Sequence, residues 1–401
     1  MRLENSARYH RAADESNHLD DPFIATDKLE KADNRTFHKR RRTERLTGYI
    51  ITCSALWFSV IIVGLSLIII ILSIATAPKY DFSWLLYGWG KSGAGFGDPA
   101  SHSTNLFQSV TPRPCHSHND YWRKVPVYSA LQAGCTGIEA DVWLFDKDPE
   151  LYVGHDRGSL TPRRTFRSLY VNPLVEILQK KNAAAPFRYN TSSHSAVGVF
   201  DADPEQGIVL LVDIKTDGTK ALDYVQAQLA PLRANNWLTY VKDGFIHKRQ
   251  VTVVGTGSTP FDMLLQNSTY RDIFFDAPLN KLYEDPYTSG PRGDGPDMPT
   301  VYNMTNSFYA SVNFKQAVGF VWSRLSQKQL RLIRGQIKGA HRRGLKVRYW
   351  NTPAWPISLR NKIWDVLEEE GADVLNVDDL EDAAKQLEMH DAHSQRSLAN
   401  S

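Results

Sequence analysis

Three cysteines in 401 residues are too few for a disulfide framework, so the fold must rest on a packed core. Cys53 falls inside an apolar stretch, while Cys115 and Cys135 can pair if the compartment is oxidising. An excess of one charge sign is also missing. The 47 Lys and Arg against 44 Asp and Glu leave +3, too small to argue anything by itself, and no nucleic-acid partner is expected. No Gly-x-Gly-x-x-Gly turn follows any strand-like run, which removes the usual mark of a dinucleotide-binding open sheet. Gly90-Lys91-Ser92 has the ending of a phosphate-binding loop, but Leu85 stands where that loop needs glycine.

Charge is wholly absent from residues 48–77, and the centre of that run, from Val60 to Leu72, is nearly all aliphatic. A core helix of this length would show a polar face, and this one has none. About 20 apolar residues cross a bilayer, so residues 47–77 are expected to form an uncleaved transmembrane helix. Lys39, Arg40, Arg41, Arg42 and Arg45 precede the span and only Lys79 closely follows it, which orients the N-terminus to the cytoplasm. The expected topology is single-pass type II, with the rest of the chain lumenal or extracellular. Residues 1–46 lack apolar periodicity and read as a disordered cytoplasmic tail. Residues 78–109 read as a juxtamembrane linker with Trp84 and Trp89 at the membrane surface, and 389–401 as a disordered end.

What is present in quantity is apolar and aromatic residues, 42% and 11% of the chain, enough to bury a full core. Between 110 and 388, β-rich runs alternate with helical patterns. Strands are expected at 113–119, 137–145, 208–215, 250–255, 272–277, 309–314, 345–351 and 373–378. Helices are expected at 219–234, 326–343 and 358–370, the last with Ser358 as N-cap and Gly371 as the stop. Eight strands with intervening helices in fewer than 300 residues make a (β/α)8 TIM-type barrel.

Glu139 and Asp141, two apart on one strand, point to the same face, which in a barrel is the interior. Inward carboxylates are costly unless something neutralises them. Asp213 and Lys215 repeat the pattern on the next long apolar strand, and His118 and Asn119 end the first. All would meet at the C-terminal mouth, where barrel enzymes place their chemistry. Three carboxylates with oxygen donors such as Asn119 and no thiolate favour Mg²⁺ or Ca²⁺ over zinc. An isolated acidic pair on a strand is more often a solvated face; here the company of His118, Asp213 and Lys215 argues for a site. His116 reads as a hydrogen-bonded core histidine one layer lower, and His194 and His341 as surface residues.

The runs His118-Asn119-Asp120-Tyr121, Ala133 to Val142, Leu151-Tyr152-Val153-Gly154-His155-Asp156 and Ala372 to Asp378, with Tyr349-Trp350-Asn351, resemble the phospholipase C-like phosphodiesterase superfamily. That superfamily includes glycerophosphodiester phosphodiesterases, phosphatidylinositol-specific phospholipases C and sphingomyelinase D-type venom phospholipases. Within it the chain is similar to the fungal altered inheritance of mitochondria protein 6 family, over roughly residues 112–379. The resemblance implies a phosphoric diester hydrolase with His118 as general base and His155 as general acid. It implies a metal held by Glu139, Asp141, Asp213 and Asn119, with Lys215 on the substrate phosphate and Trp350 walling the pocket. The Arg-Gly and Pro-Glu-Asn-Thr runs typical of glycerophosphodiesterases are absent, with Pro126-Val127-Tyr128-Ser129 nearby instead. The chemistry is therefore implied without that substrate. A phospholipid or a lipid-derived phosphodiester is the expected substrate class, and a catalytically silent barrel binding a headgroup or partner at the membrane is the competing reading.

Overall fold

The computed structural model describes residues 22–75, 107, 109–146, 148–188, 196–288 and 301–388. The chain divides into two units, Met1–Asp98 and Pro99–Ser401.

The described residues of the first unit form one helix, α1 (Pro22–Ala75), of 54 residues. Within it Lys39–Ile69 holds an 18-residue window of mean hydropathy 2.2 with no buried residue, so the helix is long and apolar enough to cross a membrane. The helix departs from the expected disordered tail by starting at Pro22, where proline suits a first helical turn. The segment from 22 to 46 is rich in Ala, Leu, Glu, Lys and Arg, and extending a helix costs far less than nucleating one. The expected linker at 78–109, with Trp84, Trp89 and the Gly90-Lys91-Ser92 sequence, lies almost wholly outside the described residues, as do the C-terminal 389–401 and His194.

The second unit contains twelve described strands. In chain order they are β1 (Arg113–Ser117), β2 (Cys135–Leu144), β3 (Leu151–Val153), β4 (Ile208–Ile214), β5 (Tyr240–Lys242) and β6 (Phe245–His247), then β7 (Val251–Gly257), β8 (Tyr270–Arg271), β9 (Ile273–Pro278), β10 (Ser307–Asn313), β11 (Lys346–Trp350) and β12 (Val374–Val377). β1, β2, β4, β7, β9, β10, β11 and β12 pair in parallel in that order, and β12 pairs back onto β1, closing an eight-stranded TIM-type barrel. These coincide with the eight expected strands. β3 runs antiparallel along the end of β2. β5, β6 and β8 form a small antiparallel sheet, and the Leu238–Val251 bridge places it at the N-terminal ends of the barrel strands. These short strands lack the long apolar runs that marked the others.

Helix ends follow local chemistry. Gln327–Arg342 opens with a capping box between Ser326 and Gln329. Ile357–Glu369 opens on Pro356 instead of the expected Ser358, and Gly371 follows its end at φ 98°. The expected single helix at 219–234 is two, Gly218–Gln228 and Ala230–Ala234, because Pro231 lacks an N–H and crowds the preceding turn. Cys115 and Cys135, on neighbouring strands with Cα atoms 4.6 Å apart, form a disulfide.

The barrel interior is layered. Val209, Leu211, Val254, Phe274, Tyr309 and Val374 form an apolar cluster towards its lower half. Above them inward positions turn polar: His116, Glu139, Asp141, Asp276, Arg348 and Asn376. That change of layer, on a rigid closed sheet, positions the site.

Candidate active site

Alternation on β2 sends Gly137, Glu139 and Asp141 inward. Glu139 is 4% exposed and Asp141 fully buried. With Asp213 near the end of β4 they form a carboxylate cluster whose oxygens lie within 4.8 Å of one another. Lys215 Nζ donates to Asp141 Oδ2 at 2.9 Å and to Asp213 Oδ2 at 2.6 Å. Asn119, just past β1, is held at φ 47°, a left-handed conformation that asparagine tolerates. Its N–H donates to Glu139 Oε2 at 3.2 Å. Glycine is required beside two of these groups. A Cβ on Gly257 (φ 66°) would strike the Asp213 carboxylate, and one on Gly137 the His116 ring.

Tyr121 ties the cluster to His155. Its hydroxyl lies 2.6 Å from Asn119 Oδ1, 2.8 Å from Asp141 Oδ2 and 3.2 Å from His155 Nδ1. One proton serves only one acceptor at a time, and the oxygen can accept from the imidazole. Trp122 packs against His155 with ring centroids 5.1 Å apart. His118, on the other flank, makes a 2.8 Å hydrogen bond through Nδ1 to Asp378 Oδ1, while its Nε2 lies 4.0 Å from Glu139 Oε2. Burial alone would lower the His118 pKa; the Asp378 hydrogen bond and the field of Glu139 outweigh it and raise it. Trp350 ends β11 half-buried beside Asn313 of β10.

Residues that sequence reasoning left out of the site complete it. Asp378 and Tyr121 stood inside quoted motifs, and acids at strand ends such as Asp213 were the signal that could have singled out Asp378. Arg348 is 3% exposed and lies 3.8 Å from Glu139 Oε2 and 3.9 Å from Asp276 Oδ2, bonded to Asn376 Oδ1 at 2.7 Å. No pattern exposed it, because a basic residue on a strand ordinarily faces water. His116 corrects the expectation of a hydrogen-bonded core residue. It is fully buried with neither ring nitrogen hydrogen-bonded, 3.8 Å from Glu139 Oε2 and edge-on to Tyr309. Burial, then Arg348 and His118, hold its pKa well below the usual value, so it stays neutral. His341 lies on the surface as expected, paired with Asp373 at 2.7 Å.

Fully ionised, Glu139, Asp141, Asp213 and Asp276 carry four negative charges against two from Lys215 and Arg348. The shortfall appears in the proton affinities. Burial, then Glu139, raises the Asp141 pKa to about 7, and burial raises Asp213 despite Lys215. Asp141 Oδ1 is buried without a hydrogen bond. Excess negative charge, converging oxygens and an orphaned carboxylate oxygen fit a divalent hard cation.

A pH dependence follows. A carboxyl whose folded pKa is raised stabilises the fold below its unfolded value of 3.8, and that contribution is lost as pH rises through about 7. His116 acts oppositely, but its unfolded titration lies near 6.5. The Asp141 contribution is thus lost between about pH 4 and 7 and is offset by His116 below about 6.5. The melting temperature of chelator-treated protein is therefore expected to fall between about pH 6.5 and 7.5 and to level off above, with a slope well under the roughly 1.4 kcal/mol per pH unit of one full proton. Saturating Mg²⁺ or Ca²⁺ should flatten the slope in calorimetry. A rising or flat profile for the metal-free protein would exclude the strained carboxylate.

Residues 104–276 match the family described as an AIM6-like phosphodiesterase domain. An altered inheritance of mitochondria protein 6 homolog of Arthroderma benhamiae is 40% identical over 296 residues, covering 71% of this chain and 86% of that protein. Altered inheritance of mitochondria protein 6 of Eremothecium gossypii is 35% identical over 281 residues, 67% of this chain and 68% of that one. The Saccharomyces cerevisiae protein of that name is 33% identical over 300 residues, 69% and 71%. Among solved structures, a glycerophosphodiester phosphodiesterase from Parabacteroides distasonis matches with TM-score 0.38 at 10% identity, over 71% of this chain and 98% of that one.

Proposed function

From the premise that this chain belongs to the altered inheritance of mitochondria protein 6 family, we propose that it is a membrane-anchored, metal-dependent phosphoric diester hydrolase acting on a phospholipid or lipid-derived phosphodiester. One observation carries the reading: two histidines, each held by its own partner, flank a carboxylate cluster able to hold a cation, at the mouth of a closed barrel.

Asp378 accepts the Nδ1–H of His118, which leaves Nε2 bare towards the site to take the proton of an attacking hydroxyl. The same carboxylate stabilises the imidazolium that results. His155, oriented by Tyr121 and Trp122, supplies a proton to the leaving oxygen. Lys215, already anchored to two carboxylates, offers its remaining donor capacity to a non-bridging phosphate oxygen, and Trp350 walls the pocket. Glu139, Asp141, Asp213 and Asn119 would hold Mg²⁺ or Ca²⁺, which when bound offsets phosphate charge in the transition state. A substrate with a hydroxyl beside the phosphate would give a cyclic phosphate first. The test is turnover of glycerophosphodiesters, lysophospholipids and phosphoinositides by purified full-length protein, with and without chelator. Chelator-sensitive turnover of one class is expected, and no turnover of any with Mg²⁺ or Ca²⁺ present would put the silent binder ahead.

In this reading α1 spans the membrane once, with Lys39 to Arg42 and Arg45 on the cytoplasmic side and the barrel lumenal or extracellular. The Cys115–Cys135 pair supports an oxidising compartment. Sequons stand at Asn190, Asn267 and Asn303 on the barrel side and at Asn34 before the span. Asn190 lies outside the described residues; Asn267 is exposed, whereas Asn303 is half-buried with its Oδ1 bonded to Thr305. Glycan is expected on at least one of the three, Asn267 foremost, and none on Asn34. Glycosidase shifts on single-site variants check this, and modification of Asn34 with the other three bare would reverse the orientation.

A further inference from the structure

The loops at the C-terminal end of the barrel leave large aromatic side chains in solvent. After β10, Phe320 and Trp322 are 74% and 84% exposed with ring centroids 6.1 Å apart. After β11, Trp355 is 69% exposed and Ile357 47%. The two loops adjoin: Lys362, on the helix behind Trp355, reaches the Ser323 carbonyl at 3.5 Å. β10 and β11 are followed around the barrel by β12 and β1, and past β1 stands Trp122, 59% exposed, against His155. The aromatics thus occupy one arc of the mouth that holds the carboxylates.

Charge on the β10 and β11 part of this arc has one sign, and the acids that follow β12 are engaged, Asp378 by His118 and Asp379 and Asp382 by Arg360. Residues 301–364 contain twelve Lys and Arg and no Asp or Glu. Most of the others are bonded, Arg331 to Asp285, Arg334 to Glu370 and Lys338 to the Asp285 and Thr288 carbonyls for example. Lys315, Arg324 and Lys362, exposed in or beside the aromatic loops, enter no ion pair among the described residues. Solvent-facing Trp and Phe ringed by unpaired cations are costly in water and suited to one environment, the interface of a bilayer with anionic headgroups. The chain itself carries a helix able to cross a bilayer, so a membrane is within reach. Asn267, the most accessible described sequon, lies by the small sheet at the opposite end, where a glycan would not obstruct the mouth.

We propose that this aromatic and basic arc, Phe320, Trp322, Trp355 and Ile357 with Lys315, Arg324 and Lys362, docks the barrel mouth onto an anionic lipid surface. The proposal rests on reading the site as one for a membrane-borne phosphodiester. Docked this way, the mouth meets a headgroup at the interface without extracting the lipid into water.

The test uses full-length protein carrying Cys53→Ser and a polarity-sensitive fluorophore on Trp322→Cys, Trp355→Cys or, at the opposite end, Phe245→Cys. Each is reconstituted into phosphatidylcholine–phosphatidylglycerol vesicles containing bromolipid. Labels at 322 and 355 should shift to the blue and be quenched at least about twofold more than the label at 245, and Lys315→Glu with Arg324→Glu and Lys362→Glu should remove most of the difference. Equal quenching at all three positions overturns the proposal. So does shielding of 322 from aqueous iodide that is the same in detergent, which would mean a protein contact. Turnover of a water-soluble phosphodiester by the same samples separates the two ideas. Activity without lipid quenching sinks the docking alone, and quenching without activity sinks the hydrolase alone.

Discussion

Glu139→Gln or Asp141→Asn should abolish divalent-ion binding and turnover while the metal-free protein melts at the same temperature or higher. The expectation comes from the local charge balance. Asp141 is fully buried, has one oxygen with no partner, and holds its proton up to about 7, so as a carboxylate at neutral pH it is under repulsion from Glu139. An amide of the same shape keeps an oxygen for Tyr121 or Lys215 and removes the repulsion. Glu139→Gln likewise keeps an acceptor for the Asn119 N–H. What neither amide supplies is negative charge for a cation, and ion binding to the folded state is then lost as a source of stability. Titration calorimetry with Mg²⁺ and Ca²⁺, beside melting with and without chelator, reads both effects. Asp378→Asn, a carboxylate outside the cluster, is the control and should leave ion affinity in place. Metal-free protein that is clearly destabilised, with unchanged affinity, would make the two acids structural.

The barrel was legible because its strands are buried on both faces and so read as long apolar runs, as in Ile208 to Val212. The small sheet was not, since three strands of two or three residues leave no periodicity to detect. Glu139, Asp141 and Asp213 stood out because an acid within an apolar strand has no cheap explanation. Arg348 follows the same rule in reverse: its value as a buried countercharge depends on Glu139 and Asp276, which lie on other strands of the barrel. His118 and His155 were located through a resemblance, and nothing in one sequence could say that Asp378 would face one and Tyr121 the other. The first pairing exists only after closure brings β12 against β1, and the second only after β2, with β3 folded back on it, pairs with β1. The missed start of α1 has a different cause, because propensity favoured a helix there while missing amphipathicity argued against one.

Replacing either histidine should be the most damaging change that leaves the metal site intact. His118→Ala and His155→Ala should each cut turnover at least roughly a hundredfold, the usual contribution of a positioned acid or base. Ion affinity should barely change, since neither ring is hydrogen-bonded to a cluster carboxylate: His118 Nε2 lies 4.0 Å from Glu139 and His155 Nδ1 3.7 Å from Asp141. Asn at either position keeps polarity without transferring a proton and should be as inactive as Ala. The double variant should be little worse than either single one, because the two imidazoles act in one transition state. The wild-type rate should follow a bell in pH that loses one limb in each single variant. Asp378→Asn gives a finer reading. Asp378 raises the His118 pKa by hydrogen bond and by field, so removing its charge lowers that pKa. Neutral His118 is then available at lower pH, and the ascending limb of the profile should move down while the maximum falls at least about tenfold as the ring loses its orientation. A merely structural aspartate would lower the whole profile without moving its limb. Should both histidines be replaceable with turnover kept within a few-fold of wild type, proton transfer by imidazole is not how this site works.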